Sequence, residues 1–415
     1  MLCNMPRILR RAKFYLLAFF NWTIRAVAIG AACGAAGAAF RYCVDRAGAL
    51  FGQYEWLLYL LPIAGIVIVW LYHAAGILQD QGTNLVLISL QNGTPVAFRV
   101  APLIFLSTVL THLCGGSAGR EGAALQIGAG LSSCFNRVFR LEGKEARAGT
   151  MCGMSALFAA VFGMPVTAAV LSLEVGTVGV LRYASLYPCL LSACTAWGIS
   201  QLLGSSSISF SLHAVPDATI STVFRVVLLT LLCALCSILF LAVLHRTEKL
   251  YRRLFVNPYL RILAGGCLVA VLTLLLGDRD YNGAGMGVVA EAIGGEAVPW
   301  AFLVKILLTA LTIGAGYKGG EIVPAFFIGA TFGCAAGPLL GLDPGFSAAI
   351  GMVALFCCVL NCPMASIVLS VELFGGEAFI LFALTCGLSY LMSGYYTLYD
   401  QQRIVYSKLV EEPEE

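Results

Sequence analysis

Apolar residues fill long, unequal runs of this chain, at about 14–39, 56–78, 101–114, 181–203, 219–245, 258–276, 298–316, 345–360 and 378–395. A helical crossing of a bilayer takes about 20 residues at about 1.5 Å per residue. Some runs reach that length. The pieces 122–134, 165–175, 322–336 and 363–374, bounded by glycine or proline, fall short of it. The pattern predicts an all-α integral membrane protein with many broken helices that stop at partial depth. Backbone that leaves a helix inside the bilayer is tolerated only where protein buries it or a cavity receives it. The breaks are therefore candidate sites.

Composition sharpens this picture. The 415 residues are 60% hydrophobic and 11% charged, too little charge to cover the surface of a soluble domain. A net charge of +3 gives no reason to expect nucleic acid as a partner. Basic residues gather at Arg7, Arg10, Arg11 and Lys13, at Arg137, Arg140, Lys144 and Arg147, and at Arg246, Lys249, Arg252 and Arg253. By the positive-inside rule these stretches face the cytoplasm. The first apolar run is too long for a signal-peptide core and reads as a retained helix. Of the 16 cysteines, most sit inside apolar segments, where they act as small hydrophobes. His73, His112, His213 and His245 are scattered without zinc spacing, so neither a metal nor a cofactor is expected.

The chain repeats itself. Residues 155–175 match 353–373 at an offset of 198, with nine of 21 positions identical, including Pro165/Pro363 and Glu174/Glu372. A pair of glycine motifs aligns at nearly the same offset, 201: Gly119-Arg120-Glu121-Gly122 and Gly320-Glu321-Ile322-Val323-Pro324. Two structural halves follow, about 20–203 and 219–395, with a short C-terminal segment and no soluble domain after them. Glu174 and Glu372 share one repeat position, which points to helix packing.

Glu121 is the residue on which function should turn. A carboxyl at membrane depth is costly enough to suggest a role by default. The glycines beside it open backbone N–H groups to a close-approaching anion at a helix start. Arg120 reads as structural, satisfying backbone carbonyls. Gly115-Gly116-Ser117-Ala118-Gly119 also fits the G-x-S-x-G pattern of serine hydrolases, but that motif needs an elbow on top of an α/β sheet. An intramembrane hydrolase is set aside on that ground.

These motifs resemble those of the CLC family of anion channels and proton-coupled anion antiporters. The family's Gly-Arg-Glu-Gly-Pro falls on 119–123 with Ala123 for proline, and its Gly-x-Phe-x-Pro on 320–324 with Ile322 for phenylalanine. Val405-Tyr406-Ser407-Lys408-Leu409 is similar to the family segment that carries a pathway tyrosine. The resemblance implies two inverted, interlocked repeats, a homodimer meeting near Pro165 and Pro363, and a C-terminal pathway helix at about 398–412. It also implies a cell-membrane location with both termini cytoplasmic, and transport rather than enzymatic activity.

Departures from the family pattern point to the substrate. The serine of the family's first motif is missing from Asp80-Gln81-Gly82-Thr83-Asn84-Leu85, and Val175 stands where many chloride antiporters carry an inner glutamate. Tyr317-Lys318-Gly319-Gly320-Glu321 resembles the Lys-Gly-Gly-Glu signature of the fluoride/proton antiporter branch. The resemblance therefore implies exchange of fluoride for protons, with a chloride channel or chloride/proton antiporter as the alternative. Glu121 would be the gate and proton-coupling group. Gly82, Thr83, Asn84, Gly122, Ile322, Val323 and Tyr406 would bind the anion, through backbone N–H groups, the Thr83 and Tyr406 hydroxyls and the Asn84 amide. Asn84 could equally cap a helix. With valine at 175, either Glu121 swings inward or Glu321 takes part in coupling; otherwise Glu321 pairs with Lys318.

Overall fold

Prolines open helices and left-handed residues close them at the breaks between apolar runs. The computed structural model describes residues 5–77, 80–212, 214–405 and 408, with side chains from residue 12 onward. The first half contains α1 (Met5–Gln53), α2 (Leu61–Ala74), α3 (Asn84–Asn92), α4 (Val100–Leu113), α5 (Glu121–Val138), α6 (Gly143–Phe162), α7 (Pro165–Glu174) and α8 (Leu186–Leu202). The second contains α9 (Ile220–Leu254), α10 (Pro258–Leu276), α11 (Met286–Ile293), α12 (Ala301–Ala315), α13 (Ile322–Ala336), α14 (Pro344–Leu360), α15 (Pro363–Phe374) and α16 (Phe379–Met392). Pro165 and Pro363 sit in the first turn of α7 and α15, where proline's missing N–H costs nothing. The preceding α6 and α14 end in left-handed residues at equivalent repeat positions, Gly163 (φ +76°) and Asn361 (φ +55°). Five described helices are long and apolar enough to cross a membrane, whereas α7 has only 10 residues and α15 only 12. The predicted mixture of helices long enough to cross and helices too short to do so holds. The first helix runs well past the apolar stretch ending at 39, and in that extension Asp45 takes ion pairs from Arg41 and Arg120.

The halves are built alike. In the first, α5 packs on α6 with Gly128 against the backbone of Gly153; in the second, α13 packs on α14 with Gly329 against Gly351. A side chain at either position would strike a backbone carbonyl, so glycine is required by close approach alone.

The halves also clasp each other. Glu174, ending α7, accepts hydrogen bonds from the N–H groups of Met364 (3.2 Å) and Ala365 (2.9 Å) at the start of α15. Glu372, near the end of α15, accepts in turn from Val166 (3.0 Å) and Thr167 (2.8 Å) at the start of α7. Each carboxylate satisfies donors that a helix N-terminus leaves unpaired and meets the positive end of that helix. The packing role read from the repeat is what the structure gives these residues.

The chain's last described stretch threads back between the halves. Leu398 donates to the Val359 carbonyl (3.0 Å), and Gln402 Nε2 donates to those of Val175 (3.1 Å) and Leu360 (2.6 Å). Strand β2 (Arg403–Ile404) then pairs in parallel with β1 (Thr177–Val178). The expected helix over 398–412 is absent from 398–405, which run as turns and this strand. Pairing with β1 and the Gln402 contacts hold the backbone extended there.

Candidate functional site

The two glycine motifs meet. Gly119 and Gly320 exchange a pair of backbone hydrogen bonds, N–H to carbonyl, at 2.6 and 2.8 Å. This small bridge aligns the starts of α5 and α13 across the boundary between repeats. The Glu121 carboxyl folds back onto it. Its Oε2 accepts from the N–H of Arg120 (3.1 Å) and from that of Val323 (3.2 Å), one donor from each motif. Glu121 is completely buried. A Cβ on Gly119 would land on Oε2, and one on Gly320 would come within 2.7 Å of it. The glycines are there to make room for a carboxylate.

A cavity of about 630 Å³ approaches this point, lined among others by Asp80, Thr83, Gln126, Lys318, Glu321 and Tyr399. Four polar atoms in or beside its wall are buried without a hydrogen-bond partner among the described residues: Glu121 Oε1, Glu321 Oε2, Gln126 Oε1 and the Tyr399 hydroxyl. An orphaned buried polar group costs about 1–3 kcal/mol, so a cluster of them suits a place that receives an ion or a proton. Glu121 and Glu321 are close enough for their charges to interact, and the Tyr399 hydroxyl feels both.

Most predicted residues converge here, but several do so differently from expectation. Val323 offers its N–H at the site, spent on Glu121. Ile322 opens α13, wholly buried. Gly122 lies in the first turn of α5, where a Cβ would come within 2.9 Å of Thr83 Oγ1. Thr83 borders the cavity and receives a long contact from Gln126 Nε2 (3.5 Å).

Gly82 does not present a free donor, because its N–H goes to Asp80 Oδ1 (3.1 Å). Asn84 likewise spends its N–H on the Gln81 carbonyl (3.1 Å). Nor does its side chain cap α3: Oδ1 accepts from the N–H of Gln401 (3.2 Å), holding the returning C-terminal stretch. Glu321 is not paired with Lys318, whose ammonium is on Asp80 instead (2.5 Å). Among the described residues Arg120 serves no backbone carbonyl; it binds Asp45 (2.7 Å) and lies over the Phe162 ring.

Tyr406 lies outside the described residues. The tyrosine found at the site is Tyr399, 3% exposed, its hydroxyl near the Thr83 side chain without reaching ordinary hydrogen-bond geometry. Nothing in the run Tyr395-Tyr396-Thr397-Leu398-Tyr399 singles it out, since only the threading of 398–404 brings it inward. Gln126 was legible: a lone amide within the apolar run after Glu121 signals a buried polar task.

The hydrolase pattern is not a catalytic site. Ser117 Oγ donates to the Tyr281 carbonyl (2.9 Å) and contacts Thr309 Oγ1 (3.2 Å), while His112 Nδ1 faces its own helix at Thr108 O (2.8 Å). The same region holds Lys305, fully buried in α12. Its Nζ donates to the carbonyls of Tyr281 (3.0 Å) and Gly283 (2.8 Å). Among the described residues no three His, Cys, Asp or Glu side chains gather as a metal ion would need.

Comparison with known proteins agrees with this architecture. The family model for the voltage gated chloride channel matches residues 64–394. A chloride/fluoride channel protein of Pseudomonas syringae pv. tomato is 35% identical over 413 residues, covering 98% of this chain and 91% of that protein. The crystal structure of a CLC-type fluoride/proton antiporter superposes with a TM-score of 0.90 at 32% identity, over 93% of this chain and 98% of the other. A slow cyanobacterial Cl⁻/H⁺ antiporter, at 19% identity, shares the fold with a TM-score of 0.77 over 90% of this chain and 94% of its own.

Proposed function

Because this chain belongs to the voltage gated chloride channel family, the CLC anion transporters, we propose that it exchanges fluoride for protons across the cell membrane, with Glu121 as the shared gate. The observation that carries the proposal is the seat of the Glu121 carboxylate on the Val323 N–H at the start of α13. That donor is of the kind an anion would use. The ionised carboxylate and the anion therefore compete for one position. Protonation removes the negative charge, weakens the grip of the N–H groups and lets the side chain leave. A group that binds a proton in one state and yields its place to an anion in the other couples the two ligands, and the coupling is reciprocal.

Fluoride is small and strongly hydrated, so it needs short, dense hydrogen bonds in place of its water. Val323 N–H and the hydroxyls of Thr83 and Tyr399 are our candidate donors, with Gln126 Nε2 beside Thr83. Fluoride is preferred to chloride on the Lys-Gly-Gly-Glu run at 318–321 and on the likeness to the fluoride/proton antiporter structure. With Val175 in place of an inner carboxylate, Glu321 is our candidate for the proton's next step. Its Oε2 is buried, unpaired and near Glu121. We further read the chain as one polytopic domain with cytoplasmic termini, working as a homodimer in which each subunit has its own pathway.

The test is flux from proteoliposomes, comparing fluoride and chloride gradients while recording pH. Fluoride efflux that drives protons uphill, with little chloride movement, is expected. Comparable chloride flux without proton movement would make the protein a chloride channel. Glu121→Gln, a permanent mimic of the protonated state, should abolish proton movement, and retained coupling in that variant would remove Glu121 from the mechanism.

A further inference from the structure

We propose that Asp80 sets how fast the anion leaves, by neutralising Lys318 in the wall of the cavity that approaches Glu121. The inference rests on the transport reading above and concerns two side chains to which that reading gives no step in transport.

Asp80 and Lys318 come from different repeats and flank the two site motifs. Asp80 lies two residues before Gly82, and Lys318 two before Gly320. Their side chains form an ion pair with Asp80 Oδ2 2.5 Å from Lys318 Nζ, at 14% and 18% exposure respectively. Both line the cavity with Thr83 and Glu321. The second Asp80 oxygen accepts from the Gly82 N–H at 3.1 Å, and the Lys318 ammonium lies 4.8 Å from the centre of the Tyr72 ring. Each partner is thus held on a second side, and neither is free to follow a passing ion.

An ammonium fixed beside an anion pathway is a trap. In a partly desolvated cavity the attraction between unit charges falls off slowly, and binding must stay weak enough for the ion to depart. A carboxylate bonded to that ammonium turns a full charge into a short dipole, whose pull on a third charge is far smaller. Lys318 then keeps its structural use, joining the loop of one repeat to the motif of the other, without gripping the substrate. The pairing also explains why Lys318, though near enough for its charge to act on Glu321, forms its ion pair with Asp80 instead.

The two members of the pair should therefore act in opposite directions. In full-length protein reconstituted in liposomes, Asp80→Asn bares the lysine, and the KM for fluoride should fall by about tenfold, the effect of about 1.4 kcal/mol. Maximal turnover should fall with it, and KM should rise again steeply as salt screens the exposed charge. Lys318→Met bares the aspartate instead and should raise KM. Adding Lys318→Met to Asp80→Asn should bring KM back towards that of the unaltered protein. A pair that served only to hold the loops would make both single variants worse in the same sense, with less folded protein and no fall in KM. Shifts of the same sign, or an unchanged KM in Asp80→Asn, would overturn the proposal. Should Asp80→Asn not yield monodisperse protein, the exchanged pair Asp80→Lys with Lys318→Asp takes its place. It is expected to keep a KM close to the original, and a tenfold departure counts against the idea. The unaltered protein serves as the control: absence of fluoride and proton flux there would bring down the transport reading, whereas normal flux with same-sign variants would remove only the role of Asp80.

Discussion

Replacing Gly119 by alanine tests the closed gate without touching Glu121 itself. The added methyl would stand on Oε2 of Glu121, inside the 3.4–4 Å of ordinary contact, with Pro324 Cδ at 3.0 Å and the Gly320 carbonyl at 3.1 Å. Its backbone needs no left-handed conformation, so the effect is steric and aimed at the carboxylate. The carboxylate must shift by about an ångström, and its bonds from Arg120 N–H and Val323 N–H, at 3.1 and 3.2 Å, lengthen beyond use. Hydrogen bonds to a charged group contribute about 1.5–3 kcal/mol each. The seated gate should therefore lose about 3–6 kcal/mol, shifting the balance of seated to displaced by about 10²–10⁴. The matching change at Gly320 is less informative, because a methyl there would meet the backbone nitrogens of Gly122 and Glu121 at 2.7 and 2.8 Å. Fluoride and pH electrodes on proteoliposomes read the outcome: Gly119→Ala should pass fluoride with far fewer protons per anion than the unaltered protein. A monodisperse variant that keeps its original proton-to-fluoride ratio would refute the view that this glycine cradle is what holds the gate shut.

Two further expectations concern stability. Glu174→Ala and Glu372→Ala each strand two N–H groups at a helix start. Both should cost about 2 kcal/mol or more and lower the melting temperature in detergent by similar amounts. Strongly unequal effects would mean that the clasp is not reciprocal. Lys305→Met keeps most of the side-chain volume but removes both donors from the Tyr281 and Gly283 carbonyls. It should destabilise by about 2–4 kcal/mol, and an unchanged melting curve would show that those carbonyls find other partners.

How far the sequence could be read depends on how many residues decide a feature. The unequal apolar runs, the duplication and the paired glycine motifs each repeat a signal over many positions, and the fold follows them closely. Glu121 and Val323 were legible for the same reason, since helix starts and glycines lie beside them. The misplaced assignments concern single contacts between remote segments. The sequence around Asn84 suits an anion ligand and a helix cap alike, yet its oxygen goes to Gln401, 317 residues away. Lys318 lies three residues from Glu321 but pairs with Asp80, 238 residues back. Tyr399 reaches the site because a stretch expected to be helical is drawn straight by Gln402 and β1. Local propensity has no term for such pairings; they exist only once the halves have docked.

The reciprocity of the Glu174 and Glu372 clasps bears on ancestry. Contacts in which one position meets its counterpart, and is met by it in return, are the mark of a twofold interface between identical subunits. A polypeptide half this long would carry a clasping glutamate with no helix to receive it and a bridging glycine with no mate. Both needs would be filled by a second copy inserted upside down. Gene fusion would then have released the two copies from identity while keeping their joint. The positions that open α5 and α13 differ between the halves, Glu121 in one and Ile322 in the other. Exact symmetry would set two acids at equivalent places; here the second acid, Glu321, stands one position earlier in its motif than Glu121 does, so the two carboxyls meet at inequivalent positions.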